Sequence, residues 1–401
     1  MTVITLDYGA ADPLVLEMTE GTVVADCRGP QGVVGAEARA LLAAALTTPA
    51  HGPPLSAHVV PGDRVVVAVA GGAPQAADVI TTLSGYLTGA GVDPGEIAVL
   101  HATWGEQAHG AAGRLPPDTI AFDPAVETAT SYLAADADGR PLYLARNLVD
   151  ADVVVAVGEW GWDAGLGGRG LAGELWPAFS REACRRDTIT ALARRGRKAL
   201  PDWKAALQEI TWQLGVCASL RLVAGHGGTL HAACFGLPDE AAHRARGAAA
   251  GWCPQVDEPV DLAVATLSDP AGGFAGVTRA VAAAARVTRP DGTICVTSRV
   301  SAGPGIVFLR WRQGAPLEKL IHEALATQDP HLVADALQTR LFARALGERR
   351  LVLLSDLGEG TVEELEFGSA DSPEVVERLV HRSESVAVLQ EADRMFPNPG
   401  R

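Results

Sequence analysis

Residues 151–180 read ADVVVAVGEWGWDAGLGGRGLAGELWPAFS. The β-branched opening, ADVVVAVGEW (151–160), is the kind of run that forms a buried strand. It leads straight into a segment with five glycines between Gly161 and Gly170, with Trp160, Trp162, Trp176, Asp163 and Glu174 close by. An open α/β sheet binds ligands in the crevice beyond the carboxyl ends of its strands. A strand followed by such a loop therefore predicts an α/β fold and a segment that approaches something closely.

The same alternation extends in both directions. RVVVAVA (64–70) and IAVLHAT (97–103) read as strands, and the residues 73–92 between them have helical spacing and end at glycine. A helical stretch over about 187–213 precedes the strand SLRLVAG (219–225). A second series starts near Val260 with VDLAVATLS (260–268). It continues through a helix over 274–287, the strand GTICVTS (292–298), helices over 316–327 and 330–346, the strand RRLVLLSDL (349–357), a helix over 372–383 and the strand SVAVLQEA (385–392). The polar, proline-containing stretch CPQVDEPVD (253–261) separates the two series. The expectation is two α/β domains, 1–255 and 260–401, with mainly parallel sheets, flanking helices and a cleft between them.

Composition narrows the function. A net charge of −15 disfavours nucleic acid and anionic membranes as partners. No apolar run reaches the roughly 18 residues of a membrane span, and the first residues lack the basic and apolar regions of a secretory signal. The six cysteines form no C-x-x-C pair, so free thiols and a cytoplasmic location are expected. There is no G-x-S-x-G elbow and no phosphate-binding G-x-x-x-x-G-K. His226 and His231 are five apart with Cys234 beyond, a poor spacing for helical metal ligands, and no metal site is assigned.

Four segments follow strands and can face one cleft: AVAGGAPQ (68–75), LHATWGEQAHG (100–110), the glycine-rich stretch and TLSDPAGGFAGVTR (266–279). In order and spacing they resemble the nickel-dependent lactate racemase (LarA-like) family. VAGGAPQ stands where that family reads V-S-D-H-T-R-P, and ATWGEQAH where it reads A-T-G-x-H-R. GWDAGLGGRGLAGELWPA stands for H-x-F-A-G-x-S-G-G-x-K-x-x-x-P-G, and SDPAGGFAGVTRA for S-G-G-Y-P-x-D-x-N-x-x-Q-x-x-K-A. EAAHRARGAAAG, TRPDGTICV and VAVLQEADRMFPNP extend the likeness over nearly the whole chain. The resemblance implies a two-domain fold with its site in the cleft. It also implies a nickel-pincer nucleotide tethered to a lysine, two histidine bases, a further histidine on nickel, and hydride exchange with a 2-hydroxy acid whose carboxylate is held by arginine, glutamine and lysine.

The residues themselves depart from that chemistry. No lysine precedes Lys198, while the tethering position falls near Leu171–Gly173. The histidine before the loop falls at Gly161, and the nickel-ligand histidine near Thr188–Ile189. No cofactor is therefore expected. The other base position holds Glu106, with His109 three residues on, and these two are the catalytic candidates. Gly71 and Gly72 replace charged residues of the first motif and offer only backbone N–H groups to an anion. Arg279 takes the place of the substrate lysine, where it either forks onto a carboxylate or pairs with an acid such as Asp269. Arg169, in the glycine-rich loop, joins the substrate-binding candidates. Trp160, Trp162 and Trp176 either fill the volume left by the cofactor or pack as ordinary core. Two functions stay open: a racemase or epimerase of a 2-hydroxy acid or sugar acid, and a non-catalytic paralogue that binds a small carboxylate or a protein partner.

Overall fold

In the computed structural model the alternating runs form two six-stranded sheets. The structure describes residues 2–9, 13–18, 22–102, 115–136 and 139–400. The first sheet is built, in spatial order, from Leu230–Gly236, Ala218–Ala224, Val153–Glu159, Val65–Ala70, Ile97–Ala102 and Ile120–Ala121. Only its first pair is antiparallel. Every residue of Val65–Ala70 is buried, as a central parallel strand covered on both faces must be. Helices Gly35–Thr47 and Ala76–Gly89 cover one face with Leu42, Leu46, Val79 and Leu83, and Leu200–Gln213 covers the other with Leu207 and Ile210.

The second sheet runs Gly368–Ser369, Arg350–Leu354, Thr288–Thr297, Val260–Thr266, Val386–Leu389 and Val23–Cys27, and all neighbours are parallel. Helices Gly273–Ala284 and Pro330–Leu346 pack on one face through Val277, Val281 and Phe342. On the other face lie helix Pro373–Arg382 and the hairpin of Thr2–Leu6 with Leu14–Met18.

That hairpin and the Val23–Cys27 strand precede the first sheet in sequence but lie on the second in space. Thr2–Leu6, Leu14–Met18 and Val23–Cys27 pack with the second sheet, whose strand Val260–Thr266 follows residues 255–259. Ile4, Leu6, Leu14 and Leu16 are buried while their neighbours face out, so one face of the hairpin is committed to the second sheet's core. The helical stretch over 187–213 is two helices, Glu182–Arg195 and Leu200–Gln213, parted at Gly196 with φ +55.

Each sheet has a switch point. Val65–Ala70 is flanked by Ile97–Ala102 on one side and Val153–Glu159 on the other, and Val260–Thr266 by Thr288–Thr297 and Val386–Leu389. Chain connections leave such a central strand in opposite directions, which opens a crevice at the strands' carboxyl ends. The two units share a continuous apolar core in which Trp160, Val223 and Cys234 of the first join Val281, Phe342 and Met395 of the second. Among the described residues no helix is long and apolar enough to cross a membrane.

Candidate functional site in the interdomain cleft

One cavity of about 270 Å³ is lined from both switch points. Gly72 and Glu159–Gly161 follow the strands of the first sheet, and Ser268, Asp269, Asp393 and Arg394 follow those of the second. The glycine-rich segment forms one wall through Trp162, Leu166 and Leu171.

That segment is a hairpin rather than an anion cradle. Trp162–Asp163 pairs with Gly168–Arg169. The N–H of Gly167 (φ +75) donates to the Asp163 carbonyl at 2.8 Å, that of Leu166 to Asp163 Oδ1 at 2.9 Å, and that of Gly170 to the Gly161 carbonyl at 2.9 Å. The N–H groups of Leu166, Gly167 and Gly170 are thus spent on the hairpin itself. The chain then doubles back so that Gly173 (φ +81) lies against the backbone of Gly158 and Glu159, where a Cβ on either glycine would overlap main-chain atoms.

Arg169 is held in the hairpin's base. Glu174, 1% exposed, forms ion pairs with Arg169 and, at 2.6 Å, with Arg221 of the Ala218–Ala224 strand. Arg221 also donates to the Gly173 carbonyl at 2.6 Å. Burial, with the like charge of Arg221, pulls Arg169 down to about 9, and burial pulls Arg221 down to about 10, so both stay protonated at neutral pH. A buried carboxylate needs such neutralisation. Arg169 is committed to it and does not line the cavity. Gly71 is also occupied: its N–H donates to the Ala102 carbonyl at 2.9 Å, and of the glycine pair it is Gly72 that reaches the cavity. Glu106 and His109 lie outside the described residues.

Arg279 does line the cavity, from the second turn of helix Gly273–Ala284. Among the described residues it has no hydrogen-bond or ion-pair partner. Asp269, the acid that could have claimed it, turns its Oδ1 to the N–H of Ala271 at 2.9 Å. The other charged side chains of the lining have hydrogen-bond or ion-pair partners, Asp163 taking the Leu166 N–H. Asp393 accepts the N–H and hydroxyl of Ser268 at 2.7 and 2.6 Å, and Glu159 pairs with Arg394. Burial works against the Arg394 charge, but Glu159, Asp393 and Glu391 outweigh it and raise its pKa. Among the described residues of the lining, Arg279 is thus the cation left without an ion-pair partner.

The tryptophans divide. Trp160 meets Trp162 edge-on with centroids 4.8 Å apart, and Trp162 stacks on Phe396 at 5.3 Å. Trp162 and Trp252 line the cavity with their indole N–H groups bonded to the Ala249 and Ala224 carbonyls. Trp176 packs instead in the first domain's core beside Leu175 and Phe179. His226 and His231 are separated as well. His226 Nδ1 stands 2.9 Å from Glu391 Oε1, and His231 Nδ1 is 2.6 Å from the Gln31 carbonyl. Glu391, at φ +60, also accepts the Gly227 N–H at 2.6 Å, and burial raises its carboxyl pKa. No group of three metal-binding side chains forms among the described residues. Sequence reasoning missed Ser268, Asp393 and Arg394, although SDPAGG and VLQEADR both follow strands and so carried the positional signal.

No family model matches the sequence, and no curated protein matches it. Solved structures do. The lactate racemase apoprotein from Thermoanaerobacterium thermosaccharolyticum superposes with a TM-score of 0.73 at 13% identity, covering 99% of this chain and 100% of that one. A protein from Thermotoga maritima superposes with a TM-score of 0.62 at 12% identity, covering 92% and 99%. At these identities the likeness establishes the fold: the chain has the architecture of the lactate racemase apoprotein from end to end.

Proposed function

We propose that this chain is a divergent LarA-like protein whose cleft binds a small carboxylate on Arg279 and carries no tethered nickel-pincer nucleotide. The observation that supports this most is the Arg279 guanidinium, which lines the cavity and has no hydrogen-bond or ion-pair partner among the described residues, while Arg394 is already paired with Glu159.

The residues present do not fit the nickel-pincer group. Where the tethering lysine would stand, Leu171 and Ala172 line the cavity and Gly173 is pressed against Gly158 and Glu159 with no space for a side chain. Among the described residues lining the cavity there is no histidine and no lysine. Binding, rather than racemisation by the family's route, is the function these side chains support. Its selectivity for carboxylates follows from the planar fork of arginine, which matches two carboxylate oxygens at once.

Calorimetric titration with lactate, malonate and sugar acids tests the proposal. A hydrogen-bonded charge contributes roughly 1.5–3 kcal/mol, so Arg279→Ala is expected to weaken binding about ten- to a hundredfold while the melting temperature stays nearly unchanged. Equal binding by the variant, or no binding by the wild type, overturns it.

A further inference from the structure

The lining of the cavity has two chemically distinct parts. One carries Arg279, Ser268 and Asp269. The other is a wall of leucines drawn from three elements: Leu166 and Leu171 from the glycine-rich segment, Leu192 from helix Glu182–Arg195, and Leu337 and Leu341 from helix Pro330–Leu346. Leu337 and Leu341 are four residues apart on one helical face and only partly buried, so they have apolar surface left to cover.

The leucine side chains offer no hydrogen-bond partner to a polyhydroxylated ligand. The acids of the lining are already engaged: Asp163 receives the Leu166 N–H, Asp269 the Ala271 N–H and Asp393 the N–H and hydroxyl of Ser268, and Glu159 is paired with Arg394. A hydroxyl buried beside the leucine wall would lose its water without gaining a partner. An apolar group there gains about fourfold in affinity for each buried methylene. The volume, about 270 Å³, lies just below the roughly 300–1,000 Å³ usual for small-molecule sites, so one ring or one branched chain is the scale of ligand it holds.

Resting on the carboxylate-binding proposal above, we infer that the cleft selects carboxylates with an apolar body, aryl or branched alkyl, over lactate and over hydroxylated sugar acids. Arg279 holds the carboxylate, and the leucine wall sets specificity through the rest of the molecule.

The test is calorimetric titration of the full chain with lactate, 2-hydroxy-4-methylpentanoate, phenyllactate and gluconate. The two apolar-bodied acids are expected to bind at least about tenfold more tightly than lactate, and gluconate no more tightly than lactate. Leu341→Gln is expected to bring the ratio of phenyllactate to lactate affinity toward unity. Leu337→Gln is the second variant should the first not fold. Binding of all four acids with equal affinity through Arg279 overturns this inference and leaves the carboxylate site standing. An unchanged ratio in both leucine variants overturns it as well. Failure of every acid to bind overturns both.

Discussion

Arg221 reaches from the Ala218–Ala224 strand to Glu174 with Nη2 and Oε2 2.6 Å apart, and neither side chain is open to solvent. This pair, with Arg169 on the other carboxylate oxygen, fastens the glycine-rich hairpin to the first sheet. Removing the carboxylate strands two buried guanidinium groups. Glu174→Ala is therefore expected to cost about 3–5 kcal/mol of folding stability, read by urea denaturation. A loss below about 1 kcal/mol, the level of an exposed pair, would show that the pair is not buried as described.

The backbone crossing of Gly158 and Gly173 sets the cavity wall from behind. Gly158→Ala forces the chains apart and is expected to cost about 1–3 kcal/mol. Gly168→Ala, in the same hairpin with open space around its Cβ position, is expected to stay within about 0.5 kcal/mol of wild type. Thermal melts of the two variants side by side check this, and equal effects would contradict it.

Asp335 gives a pH signature. Its buried carboxylate accepts the Val307 N–H at 2.6 Å in the first turn of helix Ile306–Arg312. Burial raises its pKa above the ordinary value, and the hydrogen bonds from Val307, Phe308 and Thr339 only partly offset this. The native state thus takes up its proton at a higher pH than the unfolded chain, whose aspartate titrates near 3.9. As pH falls from 7 toward that value, the native state gains stability from this group. The stability difference between wild type and Asp335→Asn is expected to move in favour of wild type between pH 7 and 4. A flat or opposite trend in denaturation curves would contradict it.

The cofactor question has its own measurement. Purified after co-expression with the enzymes that make the nickel-pincer nucleotide, the protein is expected to show neither stoichiometric nickel by elemental analysis nor a mass adduct on the intact chain. Finding both would mean that a residue other than those at Leu171–Gly173 tethers the group.

Much of the fold was legible because its central strands are buried on both faces. VVVAVA at 65–70 and VVVAVGE at 153–159 leave a nearly continuous apolar record that few other structures explain. The Val23–Cys27 strand was not legible: it is a half-exposed edge whose partner, Val386–Leu389, lies at the other end of the chain. For the site, Arg279 stands on the helix that follows a central strand, where an α/β sheet opens its crevice, and it lines the cavity. The commitment of Arg169 to Glu174 was hidden, because their partner Arg221 comes from a strand nearly fifty residues downstream. Glycine content alone could not separate a hairpin and a backbone crossing from an anion cradle, since all three need glycine for shape.

The most direct test of the central claim is a crystal structure of the full chain grown with 2-hydroxy-4-methylpentanoate. The ligand's carboxylate is expected on the Arg279 guanidinium, between the loops that follow Val65–Ala70 and Val260–Thr266, with its branched end against Leu337 and Leu341. An empty cleft with Arg279 turned onto Asp269, or the ligand bound elsewhere, would contradict it.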